Sequence, residues 1–211
     1  RLAPNQVAIL PILRKEEDRA LILPYCEEVA AKVRAQTYEG KTVDVIVDTR
    51  DINAGEKGWN WVKKGIPLIV EVGPRDMENN SVFVGRRDQS RKQRYGQDRD
   101  EFAGGVADLL SDIQDSLLQR ARAFRDEHTH AIGVWDDFLA FFTPQNKEKP
   151  EIHGGFALSH WCGSSACEDK INNELSVTIR CIPFDSQEHG SAPCIACATE
   201  SKDRVVFAKS Y

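Results

Sequence analysis

No run of this sequence approaches the roughly 18 consecutive apolar residues that a membrane-spanning helix needs, and no secretory signal opens it. Internal repeats and low-complexity tracts are also missing. These absences exclude a helical membrane span and a repeat architecture, and they lead to the expectation of a soluble, cytoplasmic protein with no membrane partner. Basic residues are slightly short: 28 Lys and Arg against 33 Asp and Glu leave a net charge of −5. Unspecific nucleic-acid binding usually needs a basic surface, so this balance speaks weakly against it. The shortage is uneven, however. Between Gly85 and Arg99 stand Arg86, Arg87, Arg91, Lys92, Arg94 and Arg99 against only Asp88 and Asp98. That excess suits either a solvated charged loop or a track for a phosphate backbone.

The 211 residues, 41% hydrophobic and 29% charged, are enough for one large domain or two small ones. The first half alternates strand-like and helix-like segments. Val7 to Ile12 is a continuous apolar run suited to a buried strand. Glu16 to Gln36 has helical spacing, with Leu21, Tyr25, Val29 and Val33 on one face, and Pro24 is expected to mark its first turn. Val43 to Val47 predicts a second strand. Gly55 to Lys64 predicts a short helix carrying Trp59 and Trp61 and stopped by Gly65. Further strands are expected over Pro67 to Val72 and Ser81 to Arg86. This order favours a mixed or largely parallel sheet with flanking helices. From Val106 an amphipathic helix carries Leu109, Ile113, Leu117, Ala121 and Phe124 and is expected to end near His130 to Gly133, with a domain boundary on it. Asp136 to Phe142 is acidic then aromatic, Thr143 to Pro150 reads as a loop, and the remainder as short strands and turns.

Four of the six cysteines fall into two close pairs, Cys162-x4-Cys167 and Cys194-x2-Cys197. Each spacing lets two thiolates turn back onto one metal, and two pairs complete a tetrahedral Zn2+ site. Four thiolates leave no open position, so the expected role is structural. Ordinary buried cysteines or a Cys194-Ile-Ala-Cys197 redox pair are the other readings. His153, His160 and His189 are nearby as substitute ligands. A zinc hydrolase using His153 or Asp136 would need a bound water that four cysteines exclude. Cys26 and Cys181 have apolar neighbours and are expected in the core.

The segment Gly55-Glu-Lys-Gly-Trp-Asn-Trp-Val-Lys-Lys-Gly-Ile-Pro-Leu-Ile-Val-Glu-Val-Gly-Pro-Arg-Asp76 resembles the anticodon-binding domain of prolyl-tRNA synthetases. The opening Arg1-Leu-Ala-Pro-Asn-Gln-Val7 is similar to that family's entry into the domain. Trp161-Cys-Gly163, Cys167-Glu168, Arg180, Ile182-Pro183 and Phe207-Ala-Lys-Ser-Tyr211 resemble its zinc-binding domain and C-terminus, in the eukaryotic/archaeal-type branch. Two positions depart from the pattern: Ile69 stands where the family usually has arginine, and Ala198 where a glycine follows the last cysteine. The resemblance implies an α/β class II anticodon-binding domain over residues 1–118 and a small α+β zinc-binding domain over 119–211. It implies a chain that lacks the catalytic domain, in which ATP and Mg2+ would act, and that is inactive as a ligase by itself. The parent would be a proline--tRNA ligase, a homodimer, with tRNA-Pro and its own catalytic domain as partners. The terminal carboxylate of Tyr211 would lie near the active site of the missing domain. A free-standing paralogue binding RNA or protein is the alternative.

Proline anticodons share two consecutive guanines. A guanine offers O6 and N7 to a guanidinium fork and its N1 and N2 donors to a carboxylate. The resemblance places recognition near the strand ends, where Arg50, Glu71, Arg75, Arg86 and Arg87 supply such groups. Local pairing, of Arg75 with Asp76 or of Glu71 with a neighbouring arginine, is the competing role. Trp59 and Trp61 would stack on a base or, more often for such residues, fill the core.

Overall fold

A computed structural model describes residues 3–146, 148, 153–188 and 190–210. Expectations resting on Arg1, Leu2, His189, Tyr211 and residues 147, 149 and 150 of the loop fall outside these. The elements in chain order are β1 (Val7–Pro11), α1 (Glu16–Arg34), β2 (Thr37–Tyr38), β3 (Lys41–Thr42), β4 (Val45–Val47), α2 (Ala54–Lys63), β5 (Leu68–Val72), α3 (Pro74–Glu78), β6 (Ser81–Arg86), β7 (Tyr95–Asp98), α4 (Arg99–Gly104) and α5 (Val106–Glu127). There follow β8 (Thr129–Ala131), α6 (Trp135–Phe142), β9 (Phe156–His160), α7 (Ser165–Leu175), β10 (Val177–Cys181), β11 (Ala192–Pro193), β12 (Glu200–Ser201) and β13 (Arg204–Lys209). The chain forms two compact units, residues 1–120 and 121–211. Among the described residues no helix is long and apolar enough to cross a membrane.

The first unit is a mixed α/β sheet in the order β4-β1-β5-β6-β7. β4, β1 and β5 are parallel, with Val7 opposite both Val45 and Leu68; β6 and β7 run antiparallel. The apolar run of β1 is buried on both faces. Val7 and Ile9 pack with α1, α4 and α5 through Ile22, Val29, Phe102, Val106 and Ile113. Ala8 and Leu10 meet Trp61, Ile66 and Ile69 on the opposite face, which α2 covers.

Several expectations are corrected here. Pro24 is the ninth residue of the 19-residue α1 and does not mark its first turn. A mid-helix proline costs about 3 kcal/mol, but Ile22, Tyr25, Cys26, Val29, Ala30 and Val33 bury one face around it and hold the helix together. Leu21 lies off that face and is exposed. The strand read from Val43 begins at Val45, because a two-residue hairpin precedes it. Glu39 and Gly40 turn that hairpin at positive φ. β7 was hidden in the basic stretch: Tyr-Gly-Gln-Asp has no apolar alternation to betray a strand. Helix α5 stops at Glu127, and the segment expected to finish it forms β8.

The second unit is α+β, with a sheet ordered β10-β13-β9-β8. One sheet face packs Ala157, Val177, Val205 and Phe207 against Phe138 and Phe142 of α6 and Ile171 of α7. The 11-residue α7 replaces part of what the sequence suggested was strands and turns. Cys26 is buried as expected, but Cys181 is exposed, beside an irregularity in the β10–β13 register between Ile179 and Cys181.

Candidate functional site

The parallel strands β4, β1 and β5 all end on the same side of the first unit, where open α/β sheets commonly bind ligands. Three residues after β4, Arg50 forks onto Asp48 through Nε at 2.8 Å and Nη2 at 2.6 Å. Asp48 is only 3% exposed. It also accepts the Trp61 indole N–H at 2.8 Å, while its backbone carbonyl accepts the buried Lys57 ammonium at 3.2 Å. The Arg50 bonds, aided by Trp61, outweigh burial and hold the Asp48 carboxyl down to about 2. Asp48 therefore fixes the direction of the half-exposed Arg50 side chain. Sequence reasoning passed over it, although a lone acid closing an apolar strand two residues before an arginine is a readable signal.

Three residues after β5, Arg75 lies in the short helix α3, exposed and without an ion pair among the described residues. Asp76 does not pair with it; its carboxylate accepts the Gly73 N–H at 2.8 Å and so caps the start of that helix. Glu71, the penultimate residue of β5, shares a sheet face with Ile69 and is ion-paired to Arg94. Arg94 crosses the bare backbone of Gly85, where an added Cβ would come within 3.0 Å of its Nε. Ile69, standing where the resemblance led one to expect arginine, is buried in the apolar cluster under α2.

Arg86 and Arg87 sit at the opposite end of the sheet. Arg86 pairs with Leu68 at the start of β5, whereas Glu71 pairs with Phe83 near its finish. The Arg86 guanidinium is nearly buried between Asp88 at 2.8 Å and Asp112 at 2.6 Å, and these bonds, that to Asp88 foremost, raise its pKa. Arg87 is exposed and donates to the Gly65 carbonyl at 3.0 Å, closing the turn after α2 where Gly65 takes φ +72°. The structure thus gathers Arg50, Glu71 and Arg75 toward one end and leaves Arg86 and Arg87 at the other. Of the two tryptophans, Trp61 is core and Trp59 is 55% exposed. It borders a groove of about 190 Å3 between α2 and the β6–β7 region.

In the second unit Cys162 follows β9, Cys167 lies in the first turn of α7, and Cys194 and Cys197 bracket a tight turn. Their four sulfurs all lie within 4.8 Å of one another. Cys162 Sγ is 3.6 Å from that of Cys167 and 3.7 Å from that of Cys197. Ligands at 2.3 Å in a tetrahedron stand about 3.8 Å apart, so the cluster has the dimensions of a four-thiolate zinc site. The separations are too long for disulfides, whose sulfurs are about 2.05 Å apart. Thr199, whose Oγ1 is 3.3 Å from Cys197 Sγ, leads in holding that thiol down to about 6, while burial pushes Cys167 up. Of the histidines considered as substitute ligands, the two that are described stay out of the cluster: His153 is bonded to the Phe141 carbonyl and His160 to that of Gly190. Ala198, in the usual glycine position, has φ +60°.

Residues 6–109 match the family described as "Anticodon binding domain", and residues 146–211 match "Prolyl-tRNA synthetase, C-terminal". The chain belongs with the C-terminal region of the prolyl-tRNA synthetases. It is similar to proline--tRNA ligase 2 of Anaeromyxobacter dehalogenans, 46% identical over 100% of this chain and 42% of that protein. Proline--tRNA ligase of Protochlamydia amoebophila is 43% identical over 100% of this chain and 41% of its own length. Among solved structures, the prolyl-tRNA synthetase of Cryptosporidium parvum complexed with L-proline and AMP superposes with a TM-score of 0.78 at 27% identity, covering 99% of this chain and 41% of that one. The chain therefore spans about 41% of the length of the prolyl-tRNA synthetase relatives it matches.

Proposed function

We propose that this chain reads the anticodon of tRNA-Pro for a proline--tRNA ligase, with the anticodon-binding domain over residues 1–118 and the zinc-binding domain over 119–211. The observation that carries the reading is the grouping of Arg50, Glu71 and Arg75 toward the carboxyl end of the parallel strands, inside the anticodon-binding match. Glu71 accepts the N1 and N2 donors of a guanine, displacing Arg94 in part. Arg50 and Arg75 donate to O6 and N7 acceptors. Asp48 occupies Nε and Nη2 of Arg50, which leaves Nη1 for the ligand. Arg87 contacts backbone, and Arg86 acts as a positioning residue that anchors the end of β6.

Cys162, Cys167, Cys194 and Cys197 would hold one structural Zn2+, whose role is to tie the start of α7 to the Cys194–Cys197 turn. A site closed by four thiolates has no place for a catalytic water. ATP and Mg2+ act in the catalytic domain of the parent, which works in the cytoplasm as a homodimer and attaches proline to tRNA-Pro. This segment alone does not catalyse that reaction.

The test is a pair of substitutions, Glu71→Gln and Arg75→Ala, in metal-replete protein. Each should weaken a tRNA-Pro transcript with anticodon UGG by about tenfold, the worth of roughly one base-reading contact. Neither should change binding to a transcript with both guanines replaced. Equal losses on both transcripts would mean these residues read no base.

A further inference from the structure

We infer that the groove beside Trp59 is a stacking subsite for one unpaired nucleotide of a single-stranded RNA loop, held without regard to its base. This deepens the anticodon-reading proposal, on which it rests for the identity of the RNA. Trp59 projects from α2 with 55% of its surface exposed, and Val62 beside it is 44% exposed. With Ile69 and Gly85 they line the groove, whose rim carries Arg91 and Arg94. Gly85 keeps the floor low: any side chain there would meet Arg94.

The charges identify the occupant. Of the six cations between Gly85 and Arg99, three are consumed within the protein: Arg86 by Asp88 and Asp112, Arg94 by Glu71, and Arg99 by Glu28. Among the described residues Arg87 donates to a neutral carbonyl and has no ion pair, and Arg91 is exposed and likewise has no ion pair. An aromatic face flanked by these two guanidinium groups suits a flat π-system bearing a phosphate, which is one nucleotide. Among the described residues, those lining the groove include no carboxylate that could select a base. Stacking on an indole tolerates any base.

Transcripts of tRNA-Pro with anticodon UGG and with both guanines replaced are titrated against wild type, Trp59→Ala, Trp59→Tyr and Arg91→Ala. Trp59→Ala should weaken both transcripts by the same factor of about ten, the usual worth of one stacked base. Trp59→Tyr should restore most of the affinity. Arg91→Ala should lower the salt dependence by about one phosphate. Trp59→Ala binding within about twofold of wild type on both transcripts overturns the subsite. Losses confined to the UGG transcript overturn its indifference to base. Titration with GMP is the third arm: a Trp59-dependent response to GMP with unchanged tRNA affinity would place a free mononucleotide there and overturn the RNA assignment. Failure of wild type to prefer UGG would count against the anticodon reading alone, because the stacking loss is scored on both transcripts.

Discussion

Arg94 lies over the backbone of Gly85 and closes on the carboxylate of Glu71, so the acid proposed to read a guanine already has an ionic partner within the protein. Both side chains are mostly shielded, which holds Glu71 in one orientation but sets a competitor against the ligand. Arg94→Met keeps the stem over Gly85 and removes the partner. Preference for UGG should fall about tenfold as Glu71 loses its fixed direction, with Tm little changed, measured by parallel tRNA titration and thermal melts. Unchanged preference would make the pair structural only.

Asp48 gives the fold of the first unit a pH dependence. Its carboxyl is held at about 2 against an ordinary 3.8. A depressed acid stabilises the fold fully above its unfolded value, and that contribution is lost as pH falls through about 4 toward 2, in total roughly 2 kcal/mol. Urea melts of wild type should lose this increment across that window, and Asp48→Asn should lack it at both ends. Equal acid sensitivity in the two proteins would locate the titrating group elsewhere.

Arg86 should prove to be a matter of stability. Its guanidinium joins Asp88, 3% exposed, to Asp112 on α5. Lysine cannot reproduce a fork between two carboxylates, and leaving Asp88 buried and underpaired costs about 3 kcal/mol. Arg86→Lys should lower stability by that order in denaturant melts while keeping the UGG preference of the folded protein. A lost preference with an unchanged midpoint would instead make Arg86 a base reader.

Ala198 adopts φ +60° at the turn that closes the cysteine cluster, a conformation that strains a residue with a Cβ by about 1–2 kcal/mol. Part of that is offset because glycine makes the unfolded chain more flexible. Ala198→Gly should stabilise the metal-loaded second unit by up to about 1 kcal/mol, read as slower amide exchange in α7 and β9. Faster exchange would contradict the strain argument.

The metal prediction is separate from RNA reading. Mass spectrometry under native conditions should find one Zn2+ per chain, and a strong chelator should remove exchange protection from α7 and β9 while β1 and β5 keep theirs. Zinc-free protein with an intact second unit would refute the structural role.

The sequence disclosed what depends on continuous apolar runs and on cysteine spacing. The buried strand at Val7, the strand ending in Glu71 and the four-cysteine cluster are all of that kind. It concealed what depends on polar partners far apart in the chain. Tyr95–Asp98 is a strand because β6 offers it an edge, and Arg86 is tied down by an aspartate 26 residues later. Trp59 and Trp61 look equivalent in sequence. Only the helix that carries them turns Trp61 onto Asp48 and leaves Trp59 facing the groove.

The central claim is that this chain discriminates an anticodon, and wild-type, zinc-replete protein tests it directly. Its affinity for tRNA-Pro transcripts with anticodon UGG and with both guanines replaced is compared at low and at physiological salt. The account predicts a preference for UGG of at least about a hundredfold, two reading contacts' worth, that survives the rise in salt. Equal affinities that fall together steeply with salt would contradict it, leaving only a phosphate-binding surface.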